Sequence, residues 1–353
     1  MSKTTEVKVV EVQLEDPLPG IVDASRFISG SPTEQRAFAV ELVDSVRRCG
    51  FVKVINHGLS DELIDELFAW CQSSHVVQNE RFFAIDPEQK LAVVNPPGPS
   101  PQRGWSCVGA EKASRLFSRG QTSLDLTDAR RNQEHFDAGS PSDTKWPSRW
   151  PDEAVIPGFK AFLEDFYVRS HQAALLILEA LEMGLNLPAG VLKSRCGGCA
   201  SELRLNNYPE IDIEELRRGK ISRIHPHADL GVITCLFQDG LGGLELEHRS
   251  HAGSFLPVPP GARSEMVVNI SETFQLWTNN VITAGIHQVT VPPEMKTRTE
   301  GRISARRSCA FFLKANGDAS VAPLPQFVTQ ERPAAYSEMT ALDYHQKRLA
   351  TAY

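Results

Sequence analysis

The sequence predicts a mainly β fold with helices: an antiparallel double-sheet jelly roll with a helical N-terminal half wrapped onto it. Two patterns carry this expectation. From Glu202 onward, short apolar runs alternate with Gly- and Pro-containing turns, at Glu202–Asn207, Val232–Phe237, Gly243–Glu247, Glu265–Ile270, Ile286–Val291 and Ser304–Lys314. Before that point apolar residues recur at helical spacing, most clearly in Thr33–Cys49 and Phe159–Leu185. The 353 residues are 41% apolar and 23% charged, which supplies enough apolar mass for a full core.

Taken in order, residues 1–19 are polar and predict a flexible N-terminus. Residues 20–150 predict an N-terminal region of helices and short strands. Phe38, Leu42, Val43 and Val46 mark one helix face, and Gly50 stands at its C-terminal stop. Phe51–Ile55 reads as a strand and Asn56–Gly58 as a turn. Ser60 is placed to cap a second helix, with Asp61 and Glu62 in its first turn. Residues 92–150 are rich in Pro, Gly, Ser and charge, and predict a long surface excursion. Residues 151–330 read as the jelly-roll core with the long helix before it, and 331–353 as an amphipathic C-terminal helix.

The net charge of -7 argues against a nucleic-acid binder, which needs basic stripes to neutralise phosphates, and against an anionic membrane surface. The most apolar run, Ala173–Leu187, is interrupted by Glu179 and Glu182, so no membrane span is expected. The first residues carry no apolar signal core. Seven cysteines, an odd number, fit reduced thiols in a cytoplasmic protein. Cys196–Cys199 forms a CxxC without a second pair at zinc-finger spacing, and reads as a Gly-rich turn. Oligomeric state stays open.

The chemistry concentrates in Ile224–Gly231, IHPHADLG. In a strand, residues i and i+2 share a face and their Cα atoms lie ~6.6 Å apart. Residues i and i+4 lie ~13 Å apart and do not readily share one ion. His227 therefore belongs to any metal site here, with His225 or Asp229 as its partner. With Asp229, and a histidine from a distant strand, it would complete a facial triad for non-haem Fe(II). His287, in the strand pattern Gly285–Val289, is the candidate. His248 and His251 fall in a polar loop, and His75, His135, His171 and His345 have no paired ligand nearby in sequence.

The surrounding residues sharpen this. His227–Asp239 (HADLGVITCLFQD), followed by Gly242–Leu246, resembles the core motif of 2-oxoglutarate-dependent Fe(II) dioxygenases, in particular the isopenicillin N synthase-like superfamily. Val268–Ile270 with Trp277–Asn279, then His287–Val289, look like the family's second iron-histidine region. Arg306–Phe312 looks like its RxS strand, and Asn206–Pro209 like its NxYP strand. Gly50–Gly58, and Phe82–Phe83 with Glu88–Lys90, resemble its N-terminal half. Arg103–Trp105 with Glu111, and the ending Tyr344–Tyr353, look most like the fungal branch of thymine hydroxylase-like and secondary-metabolite enzymes.

The resemblance implies a distorted jelly roll, or double-stranded β-helix, with iron held by His227, Asp229 and His287. It implies that 2-oxoglutarate chelates that iron while its distal carboxylate meets Arg306 and Ser308, with Tyr208 beside them. O2 would be the oxidant, with ascorbate as a helpful reductant. Strand alternation agrees: Arg306 and Ser308 are i and i+2, and a guanidinium fork suits a carboxylate. The implied reaction is oxidation of a small organic molecule, hydroxylation by default, with desaturation, ring closure or ring expansion within range. An Fe(II) oxidase without 2-oxoglutarate, and a non-catalytic binding protein on the same scaffold, are the alternatives. Leu230 stands where many relatives carry Phe or Tyr, which argues against stacking a flat base such as thymine. His225 could hydrogen-bond near the site, but a surface position is the favoured reading.

For the substrate, alternation puts Arg204, Asn206 and Tyr208 on one strand face, and Phe312 on the face of Arg306 and Ser308. With Arg103 and Trp105 closing over, this predicts an apolar pocket with one cationic end. A metabolite bearing a carboxylate, phenolate or carbonyl oxygen would meet Arg204 there. The bland alternative is an Arg204 paired with a carboxylate of the protein.

Overall fold

The computed structural model describes residues 18–71, 82–96, 98, 100–109, 130–217 and 221–350. The N-terminal half contains β1 (Ile21–Asp23), α1 (Ser25–Ile28), α2 (Pro32–Cys49), β2 (Phe51–Ile55), α3 (Asp61–Trp70), α4 (Pro87–Ala92), β3 (Gly104–Ser106), β4 (Arg130–Arg131), β5 (Glu134–Gly139) and α5 (Phe159–Gly184). The second half contains β6 (Glu202–Tyr208), β7 (Ile211–Asp212), α6 (Ile213–Arg217), β8 (Ile221–Ser222), β9 (Ile224–His227), β10 (Ile233–Gln238), β11 (Leu244–Glu247) and β12 (Phe255–Pro257). It continues with β13 (Met266–Ile270), α7 (Glu272–Trp277), β14 (His287–Val289), β15 (Arg302–Ile303), β16 (Arg306–Leu313) and α8 (Ala341–Ala350).

Two facing sheets form the distorted jelly roll. The larger has eight strands in the order β1-β2-β13-β10-β16-β6-β5-β3; the smaller has four, β12-β11-β14-β9. Phe51, Leu244, Leu246, Val258, Val267 and Val289 pack between them and close one end. The opposite face of the large sheet is covered by α2, α3 and α5.

Local chemistry explains the helices. Ser31 and Glu34 form a reciprocal capping box ahead of Pro32, and Gly50, at φ 83°, ends α2 in the left-handed conformation. A Cβ on Gly50 would meet the Gly285 Cα at 2.8 Å, so this glycine also lets the end of α2 touch the segment leading into β14. Ser60 accepts from the Leu63 N–H and caps α3, as its sequence position predicts. In α5, Phe159, Leu163, Phe166, Ser170, Ala174, Ile177 and Leu181 make one buried face at helical spacing. Gly184 has no Cβ to strike the Ala39 carbonyl, which lets α2 and α5 pack closely.

Phe159 stacks against Phe82 at 5.2 Å and also meets Trp70, Phe136 and Trp150. Truncating a fully buried ring with four aromatic neighbours leaves a cavity the packed rings cannot fill. Phe159→Ala should cost about 3–5 kcal/mol, read as a fall in the denaturant midpoint. An unfolding free energy within ~0.5 kcal/mol of the parent would contradict the packing described.

Three expectations are corrected. Residues 92–150 are not only a surface excursion: β5 is buried along its whole length and pairs with β6 inside the large sheet. Four of that sheet's eight strands come from the N-terminal half, so this half supplies strands to the core as well as helices around it. Among the described residues the C-terminal helix begins at Ala341 and runs to Ala350, and the stretch before it is irregular. The expected flexible N-terminus lies almost wholly outside the described residues.

Candidate active site

The three candidate ligands come together. His287 on β14 is the direct cross-strand partner of His227 on β9, and their rings lie 4.3 Å apart between centroids. Asp229 follows His227 by two residues, just past the strand end, and its Oδ1 sits 3.5 Å from His227 Nε2. One ligating atom from each of the three lies within 4.8 Å of the others.

Neighbouring groups orient all three. His227 Nδ1 hydrogen-bonds the His225 carbonyl at 2.9 Å, and His287 Nδ1 the Gly285 carbonyl at 3.1 Å. A carbonyl only accepts, so each Nδ1 carries a proton, and in the neutral imidazole that leaves the Nε2 lone pair for a metal. Asp229 Oδ2 accepts from Thr234 Oγ1 at 2.6 Å and from Asn269 Nδ2 at 3.0 Å, leaving Oδ1 toward the imidazoles. Burial opposes ionisation of Asp229, but His287, His227 and the Thr234 hydroxyl outweigh it and hold the carboxyl well below the usual range. Phe51 stands edge-on to the His287 ring at 5.8 Å. Two neutral imidazoles and one carboxylate make a donor set suited to non-haem Fe(II) with open positions.

The triad lines a cavity of about 170 Å3. That is room for on the order of ten water-sized groups, enough for small organic ligands. Arg306, Ser308, Tyr208, Asn206, Arg204 and Phe312 line the same cavity. Arg306 is 1% exposed and lies 5.1 Å from the Tyr208 ring centre. It donates to the Gly242 carbonyl, Ser308 Oγ and Gln238 Oε1 at 3.0, 3.3 and 3.0 Å. Three of its five N–H donors are thus engaged, leaving two for a carboxylate. Ser308 Oγ also accepts from Asn206 Nδ2 at 3.2 Å, which leaves the hydroxyl proton free to be donated to a ligand.

Arg204 lines the cavity over the Phe312 ring at 5.7 Å, but it is paired with Asp137 through Nε at 2.7 Å and also donates to Gln102. Arg103 and Trp105 do not close over the cavity. Trp105 registers with Phe136 across β3 and β5, which turns it to the helix-covered face, where its Nε1 donates to Glu134 at 2.9 Å. Arg103 is buried against Glu202 and Asp143, outside the cavity lining. His225 is buried rather than at the surface, and its backbone carbonyl is what serves His227.

Sequence reasoning missed the charged wall beyond Arg204. Glu202 accepts from Arg103 and from Lys314, and Lys314 lies 3.4 Å from His345 Nε2 on α8. Burial opposes ionisation of Glu202, yet Lys314 and Arg103 keep it down at about 2; burial and Lys314 push His345 down to about 3. Alternation along β6 could have placed Glu202 with Arg204, but nothing local places α8 there. Cys196 and Cys199 join no metal-ligating cluster among the described residues, and all seven cysteines are free thiols.

The chain is similar to known proteins over most of its length. Residues 20–153 match the family model described as non-haem dioxygenase in morphine synthesis N-terminal, and residues 200–315 match that of the 2OG-Fe(II) oxygenase superfamily. The 2-oxoglutarate-dependent dioxygenase imqE of Aspergillus flavus is 43% identical over 352 residues, covering 94% of each chain. The proline hydroxylase buaE of Petromyces alliaceus is 38% identical, covering 94% of this chain and 98% of its own. Among solved structures, a full-length Neurospora crassa protein in complex with alpha-KG and thymine superposes with a TM-score of 0.82 at 25% identity, covering 96% of this chain and 98% of its own. No described helix is long and apolar enough to cross a membrane.

Proposed function

The chain belongs to the 2OG-Fe(II) oxygenase superfamily, and from that premise we propose that His227, Asp229 and His287 hold its iron while Arg306, Ser308 and Tyr208 receive the distal carboxylate of 2-oxoglutarate. It is an oxidoreductase, a 2-oxoglutarate- and Fe(II)-dependent dioxygenase acting on a small organic molecule. The observation that carries the residue assignment is the convergence of the three ligating atoms within 4.8 Å in a cavity also lined by Arg306.

When bound, the iron supplies O2 activation coupled to conversion of 2-oxoglutarate to succinate and CO2. The protein's own groups do the rest. The Nδ1 hydrogen bonds fix both imidazole tautomers. Thr234 and Asn269 hold one Asp229 oxygen so that the other is presented. Arg306 supplies two spare donors and Ser308 one, a pattern matched to a carboxylate. O2 is the oxidant and ascorbate a supporting reductant in this reading. The free thiols fit a cytoplasmic setting.

The relatives are fungal 2-oxoglutarate-dependent oxygenases, and we assign the substrate to the small molecules of fungal secondary metabolism. The thymine bound by the Neurospora protein is a poor guide, because Leu230 offers no ring for a flat base to stack on. The substrate's carboxylate, phenolate or carbonyl oxygen meets Arg204 where that guanidinium lies over Phe312. Asp137 already balances the Arg204 charge, so the contact is a charge-assisted hydrogen bond of about 1.5–3 kcal/mol. Arg204→Ala should therefore raise the substrate KM about 10- to 100-fold. Uncoupled decarboxylation of 2-oxoglutarate should persist, and His135, 3.2 Å from Asp137, still faces the exposed carboxylate. An unchanged KM ends the Arg204 assignment. The reaction itself is tested by incubating candidate metabolites with the protein, Fe(II), ascorbate and 2-oxoglutarate. Succinate release that rises with one substrate supports the reading; substrate oxidation without succinate contradicts it.

A further inference from the structure

A second guanidinium lies behind the carboxylate cradle. Arg223, between β8 and β9, is fully buried. Its Nη2 donates to the Ser304 carbonyl at 2.8 Å, two residues before Arg306, but its Nε and Nη1 find no acceptor. Its Cζ lies 5.9 Å from the centre of the Tyr208 ring, the ring that Arg306 approaches to 5.1 Å. Neither arginine makes an ion pair with a carboxylate among the described residues, in contrast to Arg103 and Arg204. Burial and the neighbouring Arg306 lower the Arg223 pKa to about 10, which still leaves it charged at neutral pH.

Two buried cations beside one phenol ring, with no carboxylate ion-paired to either among the described residues and only Asp239 acting on Arg223 from a distance, are costly in the unliganded protein. Such a pair is matched to an occupant that brings negative charge. We propose that Arg223 is a positioning residue for 2-oxoglutarate: it supplies the second positive charge of the cradle and acts on the distal carboxylate through Tyr208. A cation near a ring is attracted to its electron density and polarises it, which strengthens the hydrogen bond the Tyr208 hydroxyl donates. The proposal rests on the assignment of Arg306 to that same carboxylate.

The test uses the full chain loaded with Mn(II), with 2-oxoglutarate binding followed by calorimetry and thermal melts recorded with and without 2-oxoglutarate. Arg223→Met should weaken 2-oxoglutarate binding at least tenfold while leaving Mn(II) binding intact. The unliganded melting temperature should hold or rise, because an uncompensated buried charge is gone, and the increment added by 2-oxoglutarate should shrink. Arg223→Lys, which keeps the charge, should recover most of the affinity. The proposal fails if Arg223→Met binds 2-oxoglutarate normally, or if Arg223→Lys is as weak as Arg223→Met. It also fails if Arg223→Met unfolds or melts early without 2-oxoglutarate, the signature of a purely structural role. Arg306→Met separates the two assignments. If it loses 2-oxoglutarate while Arg223→Met does not, only the role of Arg223 falls; if it binds normally, the cradle itself is wrong.

Discussion

Asp229→Ala is expected to leave a folded protein that binds no Fe(II) and forms succinate only at background level. Asp229 provides the only carboxylate of the triad, and Thr234 and Asn269 hold its Oδ2 so that Oδ1 is presented to the metal. Removing it leaves two neutral imidazoles, too few donors for a tight Fe(II) site. The loss should exceed the roughly 10–100-fold effect of deleting an outer partner of a ligand. His227→Ala should behave the same way. His225→Ala should keep its iron, because that residue reaches His227 through its backbone carbonyl, which the substitution retains. Metal content by elemental analysis, beside a circular-dichroism melt, separates lost metal from lost fold. Iron retained in Asp229→Ala but lost in His225→Ala would mean a three-histidine site.

The second large effect is expected at Arg306. Arg306→Leu should weaken 2-oxoglutarate binding by tens- to thousands-fold with the iron site intact. The guanidinium is buried, its position is fixed by Gly242, Gln238 and Ser308, and two N–H groups remain for the ligand. Losing a charged, hydrogen-bonded pair in such surroundings costs roughly 2–5 kcal/mol, the free energy of that range of dissociation constants. If 2-oxoglutarate affinity is unchanged and substrate affinity falls instead, Arg306 holds a carboxylate of the substrate.

The parts of this site that were legible in the sequence are those set by short-range geometry. His227 stands two residues from both His225 and Asp229, and Arg306 with Ser308 share a strand face, so spacing puts the members of each set on one side while the choice of Asp229 came from the resemblance. The approach of His287 to His227 depends on β14 pairing with β9, which spacing does not specify; the motif order did. Trp105 was misplaced because its face follows from the register of β3 on β5, a long-range pairing inside a Pro- and Gly-rich stretch. His345 looked isolated because α8 is anchored by distant contacts, the Tyr344 hydroxyl and Arg348 both donating to Glu272 on α7. Arg223 carries no local signal, since its significance lies in what surrounds it and in what its nitrogens lack.

On the proposed assignment this one cavity holds iron on the triad and 2-oxoglutarate between that iron and Arg306. Anaerobic titration of 2-oxoglutarate into the Fe(II)-loaded protein tests it most directly, because chelation of Fe(II) by a 2-oxo acid produces a visible charge-transfer absorption. The band should appear and saturate at one 2-oxoglutarate per chain. It should be absent in Asp229→Ala, and its midpoint should shift tens-fold or more to higher concentration in Arg306→Leu. An iron-loaded parent protein that shows no band, or an Arg306→Leu variant that titrates like the parent, would contradict it.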